Sequence, residues 1–219
     1  MACTNTDKPK VVYEQDTTTA ELIIDTTAVP MANLPIHFDS TDYLLFVVGK
    51  TQSYTRDSKF YMGSGSRDDD SFSAGYFDGE SVRGDIDNIK FQHIDSIHIR
   101  ELTTEQIKIR SFYLVHTTAN VILLEVMDKD TNKDKQLTYE DVVSFYIANA
   151  NGTKFEKLSV NGHQLLDWEL MSSANRVYFR TIEDANRNGE FDKKDTFHHY
   201  FVSLKTEDFE AVEIFPLKK

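Results

Sequence analysis

Two twelve-residue stretches of this chain place oxygen-bearing side chains at the spacing of a calcium loop. The first runs Asp130-Thr131-Asn132-Lys133-Asp134-Lys135-Gln136-Leu137-Thr138-Tyr139-Glu140-Asp141. The second runs Asp184-Ala185-Asn186-Arg187-Asn188-Gly189-Glu190-Phe191-Asp192-Lys193-Lys194-Asp195. Positions 1, 3, 5, 9 and 12 carry Asp, Asn or Thr in both. Position 7 (Gln136, Glu190) offers a backbone carbonyl, and position 8 is apolar (Leu137, Phe191). A hard cation such as Ca²⁺ takes roughly six to eight oxygens, and this spacing wraps a short loop to supply them. The expectation is two structural Ca²⁺ sites.

The loops differ where the chain must turn most sharply. Loop two has Gly189 at position 6, suited to positive φ. Loop one has Lys135 there, at a cost of about 1 kcal/mol if that residue is left-handed. A register begun at Asp128 puts Lys135 at the apolar position and Tyr139 at position 12, so that register is rejected. Asp/Asn-rich hairpins without metal are the competing reading, since these residues favour turns anyway. Recurrence in register favours the ion.

The loops sit inside a longer repeat. The 54-residue offset from Asp130 to Asp184 also carries Tyr146 onto Tyr200 and Phe155 onto Phe209. Periods of this length signal stacked supersecondary units. Each unit reads as four strands. The first has Ile107–His116, Val121–Met127, Val142–Ala148 and Lys154–Val160, with a hairpin turn at Asn151-Gly152. The second has Gln164–Met171, Val177–Ile182, Phe197–Leu204 and Phe209–Phe215. Short apolar, β-branched and aromatic runs between Asn, Gly and Ser clusters argue sheet. The calcium loops then join strands, with at most a helical turn at Thr138–Asp141.

Leu165-Leu166-Asp167-Trp168, Arg176-Val177-Tyr178-Phe179 and Tyr200–Leu204 resemble the blades of a TolB-like β-propeller. The resemblance covers residues 107–215 and implies an all-β fold of two four-stranded antiparallel units. The loops alone resemble those of dockerins and other EF-hand-like calcium modules. Asp42–Val48, Ile86–His93 and Ser96–Glu101 suggest a degenerate N-terminal unit across residues 21–106, with Gly63–Ser81 as a long polar loop. Residues 107–160 and 161–219 form the two repeats. Three units fall short of the roughly four to eight blades of a closed propeller, so the expectation is an open β-sandwich, a propeller-like assembly completed between chains as a homo-oligomer, or a non-propeller β fold.

Composition narrows the partners. The chain has 219 residues and a formal charge of −12, which repels nucleic acid and anionic membranes. No apolar run approaches the ~20 residues of a spanning helix. The single cysteine, Cys3, is followed by a polar, Thr-rich stretch to Ala20. This resembles the start of a mature bacterial lipoprotein. It implies a lipid anchor at Cys3, a tether over residues 1–20, and an extracytoplasmic place in the bacterial cell envelope, in the periplasm or at the outer membrane surface. Val11-Val12-Tyr13 and Leu22-Ile23-Ile24 are the stretches of that region able to add an edge strand.

Other residue types point to no reaction. His37, His93, His98, His116, His163, His198 and His199 show no metal-ligand spacing, and read as strand and surface histidines. His198 and His199 point to opposite faces of any strand that carries them. Arg83-Gly84-Asp85 reads as a turn, and Trp168 as core. Nucleophile elbows, phosphate loops and His-Glu-x-x-His are absent. The leading expectation is a calcium-binding interaction module for a protein or glycan ligand. A hydrolase with paired acidic residues is the alternative.

Overall fold

The computed structural model describes residues 8–13, 22–23, 28–52, 76–78, 81–116 and 120–217. Cys3 and nearly all of the polar stretch 63–81 lie outside them. The chain is all-β, in three open antiparallel sheets. In chain order the strands are β1 (Ala28–Ala32), β2 (Ile36–His37), β3 (Tyr43–Gln52), β4 (Tyr76–Asp78) and β5 (Ser81–Ile86). Next come β6 (Asn88–His93), β7 (Ile99–Glu101), β8 (Lys108–His116), β9 (Asn120–Met127) and β10 (Val143–Asn149). The last are β11 (Glu156–Lys157), β12 (Gln164–Met171), β13 (Arg176–Glu183), β14 (Thr196–Ser203) and β15 (Ala211–Ile214).

The first sheet has the order β1-β3-β6-β7, with β2 also on β3. The second runs β11-β10-β9-β8-β5-β4, and the third is the meander β12-β13-β14-β15. The sheets stack in three layers, with the second in the middle. Ile122, Leu124 and Val126 of β9 pack toward the first sheet, in a cluster with Leu45, Val47, Ile89 and Phe91. Val121, Leu123 and Met127 of the same strand pack toward the third, with Val177, Phe179 and Val202. Alternate residues of a strand face opposite sides, so a strand buried on both faces must be apolar throughout. That is why β9 reads Val-Ile-Leu-Leu-Glu-Val-Met. Ring contacts seal the second interface. Phe145 of β10 stacks on Trp168 at 5.9 Å and tilts against Phe179 at 5.2 Å.

The layering corrects the propeller-blade expectation. The second repeat is a free-standing four-stranded meander, but the first is not. Its strands β8 to β11 continue through β5 and β4 into one six-stranded sheet, and none of the three sheets closes. The segment read as a degenerate unit is divided between two sheets. Arg83-Gly84-Asp85, expected as a turn, lies in β5 at an irregular register against β8. Its charges are taken up locally: Arg83 donates to the Tyr113 hydroxyl, and Asp85 pairs with Lys108 at 2.7 Å.

Candidate metal centres

Loop one joins β9 to β10, and loop two joins β13 to β14. Both are long connections within antiparallel pairs, in adjacent layers. Their backbones match position by position. Position 4 is left-handed in each (Lys133, φ 62°; Arg187, φ 56°), and so is position 6 (Lys135, φ 67°; Gly189, φ 83°). The strain foreseen at Lys135 is therefore present. Lys135→Gly removes the Cβ penalty at that φ and should stabilise the calcium-free protein by roughly 0.5–1 kcal/mol and tighten loop one. Chemical denaturation in chelator and calcium titration of the variant check this, and weaker binding would contradict the assignment.

The side chains follow the same rule in both loops. The position 1 carboxylate accepts from the position 6 N–H: Asp130 from Lys135 at 2.8 Å, Asp184 from Gly189 at 2.7 Å. Position 3 accepts from the position 5 N–H: Asn132 from Asp134 at 2.9 Å, Asn186 from Asn188 at 3.0 Å. Position 5 accepts from position 7: Asp134 from Gln136 at 2.8 Å, Asn188 from Glu190 at 2.9 Å. Position 12 reaches back to the position 9 N–H: Asp141 to Thr138 at 2.9 Å, Asp195 to Asp192 at 2.8 Å. Thr138 and Asp192 accept from the N–H two residues on, capping the turn that closes each loop. The Gln136 and Glu190 side chains are exposed, as befits positions that offer a backbone oxygen. Asp128 lies outside this set. It pairs with Lys157 at 2.7 Å and accepts from Ser144 and Tyr146, so its carboxylate is engaged outside the loop.

Charge is left over at the loop centres. Asp141, Asp184 and Asp195 are buried. Their described hydrogen-bond donors are neutral: backbone N–H groups, the Thr131 and Tyr13 hydroxyls and the Asn186 amide. One carboxylate oxygen of Asp130 is buried with no hydrogen-bond partner. Burial pushes the Asp141 carboxyl above the usual carboxylate range; backbone N–H bonds oppose the shift and Asp130 adds to it. Buried carboxylates are costly without a positive partner, and a cation bound in the loop would supply one. Among the described residues, no trio of acids within either loop closes to 4.8 Å. The available ligand set is mixed, with amide and backbone oxygens between the acids, as hard-cation loops have.

An N-terminal segment joins the loops. Lys10 N–H donates to Glu140 O, Val11 N–H to Gly189 O, and Val12 N–H to Thr131 O, at 2.8–3.0 Å. Successive donors of this segment thus alternate between the loops, and Lys10 forms a β-bridge with Glu190. A Cβ on Gly189 would sit 2.5 Å from the Val11 carbonyl, so glycine serves both the turn and the docking. Residues 8–13 therefore form a clasp, not part of a free tether. Val11-Val12-Tyr13 is the stretch expected to be able to add an edge strand; it docks through backbone N–H groups and the Tyr13 hydroxyl on Asp184, and that docking place has no signature in composition.

Beside loop one lies a cleft of about 640 Å³, lined by Pro9, Arg83, Arg110, Ser111, Tyr113, Glu125 and Tyr139, among others. Tyr139, position 10 of the loop, donates its hydroxyl to Gly84 O at 3.0 Å. The Ser111 hydroxyl is buried without a partner. Trp168 Nε1 points at the Glu125 carboxylate from 3.4 Å, and Arg110 lies 3.8 Å from its other oxygen. Comparison of the chain with protein-family models, curated proteins and solved structures gives no match.

Proposed function

We propose that this chain is a secreted or lipid-anchored calcium-binding β-protein that acts as a ligand-binding module, with structural Ca²⁺ in loops 130–141 and 184–195. The observation that carries the reading is the shared loop conformation. Two sequences with different residues at position 6 adopt the same pair of left-handed turns and the same pattern of hydrogen bonds. Buried acids with only neutral described donors give the cation its reason to bind. Calcium would fix the β9–β10 and β13–β14 connections and, through the clasp, hold them together.

The cleft supplies the ligand side. Loop one contributes Tyr139 to its wall, and the clasp contributes Pro9. Calcium and ligand affinity should therefore be linked, because an ordered loop lowers the cost of ordering the cleft. Arginines, tyrosines and an unpartnered hydroxyl suit a polar, hydroxyl-rich ligand such as a glycan. Glu125 is the carboxylate the lining brings, whereas hydrolysis of a glycosidic bond ordinarily draws on a pair. That favours binding over the hydrolase alternative.

Equilibrium dialysis should find two Ca²⁺ per chain. Asp184→Ala and Asp195→Ala should each remove one, and Asp130→Ala the other. A screen of soluble glycans should yield a ligand whose affinity falls on chelation. Calcium stoichiometry unmoved by these substitutions, or a ligand indifferent to chelation, would overturn the reading.

A further inference from the structure

A second kind of metal chemistry gathers at the root of loop two. Glu183 is the last residue of β13, immediately before the loop, and His198 lies in β14, shortly after it. The β13–β14 register sets Thr181 opposite His198, and β14–β15 sets Tyr200 opposite Glu213. Alternation then puts Thr181, Glu183, His198 and Glu213 on one face of the sheet. His163, just ahead of β12, joins them. Its ring lies 4.7 Å from that of His198. One ligand atom from each of His163, Glu183 and His198 lies within 4.8 Å of the other two.

The details match imidazole ligation. The Glu183 carboxylate oxygen and His198 Nε2 are 3.3 Å apart. Zinc bonds of about 2.0–2.1 Å at tetrahedral angles set neighbouring ligand atoms roughly 3.3–3.4 Å apart. Each histidine has its other nitrogen occupied. His198 Nδ1 meets the Glu213 carboxylate at 2.8 Å, and His163 Nδ1 meets the Thr181 hydroxyl at 3.2 Å. Such outer partners fix the tautomer that presents Nε2, and a carboxylate raises the basicity of its ligand. His163 is buried, His198 half-buried and Glu183 exposed, so an ion can enter from the Glu183 side.

We propose that His163, His198 and Glu183 bind a borderline transition metal of the Zn²⁺ class, with Glu213 and Thr181 as the outer partners of the two imidazoles. Two nitrogens and one carboxylate suit Zn²⁺ and not Ca²⁺, which takes oxygen. Three protein ligands leave the fourth tetrahedral position for water or for a donor atom from a partner. The site goes beyond the calcium reading and shares none of its ligands.

The test uses the full chain without a histidine tag, in saturating Ca²⁺ so that the loops are filled. Zn²⁺ titrated by calorimetry should bind one ion per chain with micromolar or tighter affinity. His198→Gln and Glu183→Gln should weaken it at least tenfold, the scale of losing a ligand or its support, while leaving the calcium stoichiometry intact. Co²⁺ on the unaltered chain should give the intense visible bands of a tetrahedral site, a readout needing no variant to fold. A proton on His198 would also satisfy Glu183 and Glu213, and in that case the Zn²⁺ titration is silent and the proposal falls. Zn²⁺ binding indifferent to both substitutions, or a weak octahedral Co²⁺ spectrum, would overturn it equally. Loss of the calcium sites with Zn²⁺ binding retained would refute only the calcium reading.

Discussion

Melting the protein in chelator and then in millimolar Ca²⁺ should raise the midpoint by roughly 10–20 °C. The size follows from linkage. An ion that binds only the native state at a hundredfold excess over its Kd adds about 2.7 kcal/mol. Two such loops add about 5 kcal/mol, and a chain of this length gains about 2–4 °C per kcal/mol. The structure gives the effect its cause. Without the ion, Asp141, Asp184 and Asp195 are buried among neutral described donors, and Asp130 keeps an unpaired buried oxygen. Asp195→Ala should lower the calcium-dependent shift by about half while costing the chelated protein little, since it also removes a buried carboxylate. An unchanged midpoint in Ca²⁺ would refute structural calcium binding.

The loop conformation was legible because each loop is local: twelve consecutive residues hold the spacing, and Gly189 at position 6 of loop two announced the positive φ that Lys135 shares in loop one. Strand positions were legible for a similar reason. The sequence places strands at Gln164–Met171 and Phe197–Leu204, where β12 and β14 run at 164–171 and 196–203. Assembly was less legible. The apolar run of β9, broken at Glu125, signals burial on both faces, but a repeat-based reading assigns it to a single blade. The pairing of β5 with β8 joins segments separated by β6 and β7, and no local pattern encodes it.

The histidine cluster shows the same limit. His163 and His198 are far apart in sequence, and only the β12–β13–β14 pairing brings them together. The expectation that His198 and His199 diverge is consistent with the strand, since it is His198 that faces Glu183 and Glu213. The clasp was legible only in part. Val11-Val12-Tyr13 reads as strand-forming, but Lys10, Val11 and Val12 attach through backbone N–H groups, which every residue except proline has, so the sequence does not say where they dock.

Phe145→Ala should cost about 3–5 kcal/mol of stability, because truncating a buried phenylalanine loses its transfer energy and leaves a cavity. Phe145 is fully buried at the middle of β10 and faces the third sheet. It stacks on Trp168 of β12 and tilts on Phe179 of β13, which stacks in turn on Tyr200 of β14 at 5.0 Å. One ring thus begins a chain of aromatic contacts that ties the second repeat to the first. A midpoint drop on the order of 10 °C should follow. Phe215→Ala, at a side chain 72% exposed, should move it little. The form of the transition matters as much as its midpoint. Among the described residues the strands β12–β15 pair only with one another, so side-chain contacts couple them to the other layers: the packing of Phe145, and the hydrogen bonds of Gln164 with Val143 N–H and of Trp168 with Glu125. Hydrogen exchange on Phe145→Ala should show the amides of β12–β15 losing protection ahead of those of β8–β10. Uniform loss across both sheets would show that coupling resides elsewhere, and a midpoint within a degree of the parent would refute the packing of the third layer on the second.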